Sequence, residues 1–193
     1  MNDVYLLLGS NLGDRNLFLQ QAIQNLVIIL PATLFLVYIL LLAAFGSHRQ
    51  AFMIMCAIPL AALGGVAALL ITGTYFSISA AVGFIAVSGV AIQNGVILIS
   101  NINQLRTEEN HSIMQAAYNG ALSRMRPVLM TATVAMLGLL PAATSTGIGA
   151  QSQRPFAIVI IGGLFSATVL TLVVIPALYT IIETRFNKGI QNA

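Results

Sequence analysis

A chain of 193 residues that is 58% hydrophobic and only 7% charged cannot be solvated like a globular domain, which carries about a quarter charged residues. Its mean hydropathy of +0.93 makes a bilayer the natural solvent, so the length is better counted in spans of about 20 apolar residues than in domains. The net charge of +3 is scattered without a basic run, which argues against a nucleic-acid partner, and the lone Cys56 excludes an internal disulfide.

The first stretch, "VYLLLGSNLGDRNLFLQQAIQNL" at residues 4–26, predicts a short strand over 4–8, a loop, and a helix over 16–26 running into an apolar segment. A lone strand has no pairing partner, so only local order is expected there. No charged start, short apolar core and small-residue cleavage site occur in sequence, so no secretory signal is expected.

Five apolar runs follow, near residues 27–46, 51–72, 77–100, 127–146 and 155–182. Inside a bilayer each must satisfy its own backbone, so each reads as a helix, and Pro59 and Pro176 are tolerable where neighbouring helices serve the freed carbonyls. The fold class expected is an all-α membrane protein of five transmembrane helices. With the N-terminus outside, Arg49, Arg106, Arg124, Arg126, Arg185 and Lys188 fall on the inner side, against Arg15 and Arg154 on the outer. That bias predicts a cytoplasmic C-terminus.

The longest connection, residues 101–126, has its own pattern. Ser112 and Gln115 form an S-x-x-Q capping box, and Met114, Tyr118, Leu122 and Met125 recur on one helical face. The stretch reads as a short amphipathic helix on the cytoplasmic membrane surface with Arg124 and Arg126 at the headgroups, or as a plain connecting helix packed on the bundle.

Glycine pairs at Gly64–Gly65 and Gly162–Gly163 mark faces where helices can approach closely, since association within lipid relies on tight packing at small residues. In the third span, Gln93 and Asn94 lie near the middle, Ser100 and Asn101 share their face two turns on, and Ser88 and Gly89 lie roughly above. Amides at membrane depth must face protein or a wet path. They either line an ion pathway or hold helices together, and the residues alone favour the second. Thr131 and Thr133 are expected to bond their own backbone. Met53, Met55 and Cys56 supply soft atoms suited to Cu(I), but too few on one face, so packing is preferred. His48 and His111 read as surface residues. No Asp, Glu, Lys or Arg lies within the core of any run, whereas proton-driven transport needs an ionisable relay in the membrane.

"IPLAALGGVAALL", "SISAAVGFIAVSGVAIQNGVILISNINQLR" and "RMRPVLMTATVAMLGLLPAATSTGIGAQSQRPFAIVIIGGLFSATVLTLVVIPALY" resemble, in order and without gaps, the last five membrane helices of resistance-nodulation-division (RND) efflux pumps. The nearest likeness is to the heavy-metal branch, which exports ions such as cobalt, zinc, cadmium, nickel, copper or silver. The resemblance implies an inner-membrane, proton-driven antiporter, working as a trimer with a periplasmic adaptor and an outer-membrane channel. It places Gln93 where the multidrug branch has a relay lysine, matches Asn94 to the shared asparagine, and matches Thr131 to the threonine beside the relay. The family's essential aspartates and its periplasmic domains have no counterpart in these residues.

"GSNLGDR" and its flanks resemble something else, the first strand, loop and helix of hydroxymethyl-dihydropterin pyrophosphokinase, a folate-pathway enzyme. That likeness stops near Leu26, before the family's Asp-x-Asp magnesium ligands, and residues 9–15 lack the G-K-[ST] of a P-loop. The organisation expected is therefore a pyrophosphokinase-like remnant over 1–26, an RND-type transmembrane domain over 27–186 and a cytoplasmic tail over 187–193, as in a chimera. The expected function is a partial metal-efflux transporter, inactive alone, without cofactor or enzymatic activity and in contact with membrane lipid. The alternatives are a pyrophosphokinase fragment, or a helix bundle that associates with an intact pump.

Overall fold

The structure, a computed structural model, describes residues 15–147 and 149–191. The strand expected over 4–8 lies outside them. Among the described residues there are six helices: α1 (Arg15–Phe45), α2 (His48–Met55), α3 (Ala57–Thr72), α4 (Ile78–Thr107), α5 (Ile113–Thr144) and α6 (Ala150–Gln191). They supply five segments long and apolar enough to cross a membrane: Val27–Phe45, His48–Thr72, Ile78–Thr107, Ile113–Thr144 and Ala150–Arg185.

The unit formed by residues 1–46 contributes α1. This helix runs without a break through residue 26 and carries Pro31 inside it. Thr33 Oγ1 donates to the carbonyls of Ile29 and Leu30 at 2.9 Å, an internal bond that shields a hydroxyl from lipid. Gly46, at φ 60°, closes the helix in the left-handed region that glycine adopts without a Cβ clash.

The unit formed by residues 47–193 packs α2, α3, α4 and α5 around α6. Its second span is two helices because Pro59 has no amide proton to give the Met55 carbonyl, and the chain turns at Cys56. Small residues set the closeness of the packing. A Cβ on Gly64 would overlap Ser166, and one on Gly162 would sit 2.5 Å from the Gly64 carbonyl oxygen. At the same crossing Ser166 Oγ donates to Leu60 O across the helices at 2.6 Å. A Cβ on Gly65 would meet the Phe84 ring at 2.7 Å, and one on Gly163 would meet Val87 at 2.6 Å. The helix-packing glycines of the sequence therefore lie where α3, α4 and α6 meet.

Two boundaries differ from the sequence expectation. The short amphipathic helix is not separate: Ser112 caps α5 with both bonds of the capping box at 3.4 Å, and the helix continues through Pro127 into the span. A proline in a membrane helix need not end it, because its φ suits the helix and other groups can serve the freed carbonyl. The Met114, Tyr118, Leu122 and Met125 stripe is exposed, 45–70%, while Ala116, Ala117 and Gly120 face inward. The bundle thus takes the small-residue face and leaves the bulky one outward. Finally, α6 runs on to Gln191, so most of the expected tail continues the helix.

Candidate functional site

The inward stripe of α4 is Ala80, Gly83, Val87, Ala91, Gly95, Leu98 and Ile102, a repeat of three and four residues that keeps one face on the bundle. Asn94 lies three residues from Ala91 and is half-buried at the edge of this stripe, whereas Gln93 is exposed. Two residues of helix rotate about 200°, so Gln93 is turned away from Ala91. The two neighbouring amides therefore occupy different environments.

Asn94 and Thr131 come together in a cavity of 270 Å³ between α4, α5 and α6. Ala86, Val87 and Val90 from α4, Ala132 and Ala135 from α5, and Ile160 and Leu164 from α6 complete its lining. Asn94 and Thr131 are thus its polar side chains, and Gln93 is not part of it. Thr131 Oγ1 donates to Pro127 O and Val128 O, each at 3.1 Å, leaving its lone pairs for the cavity. No described residue hydrogen-bonds the Asn94 amide, so both its donor and acceptor sides are available to a polar occupant. Thr133 donates to Leu129 O at 2.7 Å and takes no part. Ser88 likewise donates to Phe84 O at 2.7 Å, and Ser100 is exposed. Asn101, two turns below Asn94, holds helices together: its Nδ2 donates to Ser123 Oγ at 2.8 Å and Gly120 O at 3.3 Å on α5.

A second polar cluster joins α2, α4 and α6, and sequence reasoning missed it. Glu183, 9% exposed, accepts from Arg49 and from Arg106, each at 3.3 Å. Arg106 also reaches Tyr179 Oη at 3.1 Å, and Tyr179 donates to Asn103 Oδ1 at 3.0 Å. Asn103 and Gln50 exchange amide bonds at 2.9 and 3.0 Å. The available signal was the four-residue spacing of Tyr179 and Glu183, which puts them on one face of α6. Charged residues at helix ends look like ordinary headgroup anchors, and nothing local separates the two cases. The cluster brings the start of α2 and the ends of α4 and α6 to one end of the bundle. Ser79 and Ser152, 3.2 Å apart, tie α4 to α6 near their starts.

Among the described residues no three His, Cys, Asp or Glu side chains group as a metal site. Met53 is buried and Met55 and Cys56 are half-buried in the packing. His111 is also half-buried rather than fully at the surface, its Nε2 lying 3.6 Å from Glu109.

A family model described as the AcrB/AcrD/AcrF family matches residues 11–183. Over 161 residues the chain is 51% identical to the cobalt-zinc-cadmium resistance protein CzcA of Cupriavidus metallidurans, covering 83% of this chain and 15% of that protein. It is 52% identical over 171 residues to the nickel and cobalt resistance protein CnrA of the same organism, covering 89% of this chain and 16% of that one. A crystal structure of a heavy metal efflux pump superposes with a TM-score of 0.77 at 52% identity, over 86% of this chain and 16% of the pump. The chain therefore spans a small part of the length of the relatives it matches.

Proposed function

Because the chain belongs to the AcrB/AcrD/AcrF family, we propose that it is the closing membrane segment of a heavy-metal efflux transporter of the RND class and not an enzyme. The observation that carries this reading is the unbroken likeness, at 51–52% identity, to two metal-resistance proteins across more than four-fifths of the chain. The names of those proteins point to divalent transition-metal ions as the cargo of the complete transporter. The boundaries proposed are a first segment over 1–26, a transmembrane domain over 27–186 and a short tail. The family match starts at residue 11, so the two resemblances overlap across the join.

In the complete transporter, the Asn94–Thr131 cavity is proposed to face the proton-relay carboxylates. Asn94 would donate an amide proton to a carboxylate, and Thr131 would hold a water or hydroxyl contact beside it. Protonation of a carboxylate changes which of these bonds exist, and helix packing is then biased by the difference. Gln93, exposed on the neighbouring face, is proposed to meet the part of the transporter outside this chain. An inner-membrane location is proposed from the family match, and the arginine bias supports a cytoplasmic Glu183 end. A trimer, a periplasmic adaptor and an outer-membrane channel are the proposed partners.

The test is a graft. Residues 27–186 replace the matching segment of the Cupriavidus cobalt-zinc-cadmium resistance protein, and zinc, cobalt and cadmium efflux is measured in everted vesicles. Retained efflux, abolished by Asn94→Ala or Thr131→Ala in the graft, is expected. A graft that reaches the membrane as a trimer and pumps equally well with both substitutions would overturn the assignment of the cavity.

A further inference from the structure

Two prolines, Pro127 and Pro141, lie inside α5. Neither has an amide proton, so the carbonyls four residues earlier, on Ser123 and Leu137, lose their helical partner. A threonine hydroxyl binds the backbone beside each. Thr131 Oγ1 donates to Pro127 O and Val128 O at 3.1 Å. Thr144 Oγ1 donates to Leu140 O at 3.0 Å and Pro141 O at 3.4 Å. Back-bonding of this kind bends helices, so residues 128–140 have a weakened ladder at both ends.

The flanks of that segment are docked. Before Pro127, Ala116, Ala117 and Gly120 are buried, and a Cβ on Gly120 would lie 2.6 Å from Ile102 of α4. Asn101 pins the same turn. After Pro141, Ala143 packs on the cluster of Leu69, Ala80, Ile158 and Val159. Between them the segment turns most of its surface outward: of its residues only Ala132 is buried, while Met130, Val134 and Leu137 are exposed. Ala132, buried, borders the cavity, with Thr131 and Ala135 exposed at its rim. Pro176 of α6 shows the opposite case. Buried Ile175 and Tyr179 flank it, and two arginines hold Glu183 beyond it.

We propose that Pro127 and Pro141 are positioning residues of the cavity. They make residues 128–140 a strap that moves toward and away from α4 while both ends stay docked, and its position sets how far water reaches Asn94. The inference shares the cavity with the reading above but does not require proton coupling, so the loss of either leaves the other standing.

The experiment uses the full chain in lipid nanodiscs, in a Cys56→Ser background. Ala132→Cys, at the buried cavity-lining position of the segment, reports the cavity through its rate of alkylation by a charged, water-soluble maleimide. Tyr75→Cys, in the exposed connection between α3 and α4, is the reference. Pro127→Ala with Pro141→Ala returns two amide donors and stiffens the strap. Labelling at position 132 is expected to slow by about tenfold, as local opening becomes rarer, with the reference unchanged. Equal labelling with and without the prolines overturns the proposal. Should the double variant lose helix content, amide hydrogen exchange of the unsubstituted chain decides. Residues 128–140 are expected to exchange at least about tenfold faster than residues 158–175 of α6, and equal protection overturns the strap.

Discussion

Asn94 and Glu183 are both polar groups at membrane helices, and their surroundings divide their roles. Glu183 is held by two arginines from two other helices, so Glu183→Ala removes the carboxylate that both guanidiniums share. Breaking a fully buried pair costs about 3–5 kcal/mol. Here the arginine side chains are 39% and 32% exposed, and water screens part of that, so a loss of about 1–2 kcal/mol is expected. Denaturant unfolding in detergent micelles checks it. Asn94 has no partner among the described residues, so Asn94→Ala breaks no bond and should change stability by less than about 0.5 kcal/mol. A large destabilisation on the same unfolding curve would mean that Asn94 is a structural amide after all. The side chain that stability can spare is the one worth probing for function.

At the scale of elements, glycine decides how α3 and α6 meet. The Gly64–Gly162 approach leaves no room for a Cβ on either side, so Gly64→Val must push the helices apart and break the Ser166–Leu60 bond. The expected cost is about 1–3 kcal/mol, typical of overpacking. Ala→Gly at the half-buried Ala62 on the same helix is the control for helix propensity, at about 1 kcal/mol. The first turns of α5 present the opposite surface. Met114, Tyr118, Leu122 and Met125 point outward beside Arg124 and Arg126, an arrangement suited to the headgroup boundary. The chain has no tryptophan, so Tyr118→Trp gives a single reporter. Blue-shifted emission quenched by brominated lipid is expected, whereas emission like that of free indole in water would remove the stripe from the membrane.

For the whole molecule, the spans supply no mid-membrane carboxylate among the described residues, and proton coupling needs an ionisable group at depth. Vesicles holding only the 193-residue polypeptide are therefore expected to show no metal efflux driven by a pH gradient. Efflux that collapses with that gradient would contradict this. No ATP-dependent pterin pyrophosphorylation is expected of the chain, whose family match already begins at residue 11. A turnover above the vesicle background would restore the enzyme reading.

The solvent of this protein and its five spans were legible in the residues. Hydropathy, helical period and the size of a side chain are local quantities, and a bilayer leaves a long apolar run no alternative to the helix. The grouping of Gln93, Asn94 and Thr131 came from family resemblance; composition and spacing offered no route to it, and only the packing of α4, α5 and α6 brings Asn94 and Thr131, without Gln93, to one cavity. The separation of Gln93 from Asn94 needed the bundle too, since sequence places both amides at the same depth and rotation about the axis has meaning only against a neighbour. The Glu183 cluster is the clearest case. Arg49, Arg106 and Glu183 each stand at the end of a different helix, and an ion pair across more than seventy residues is decided by how helices cross.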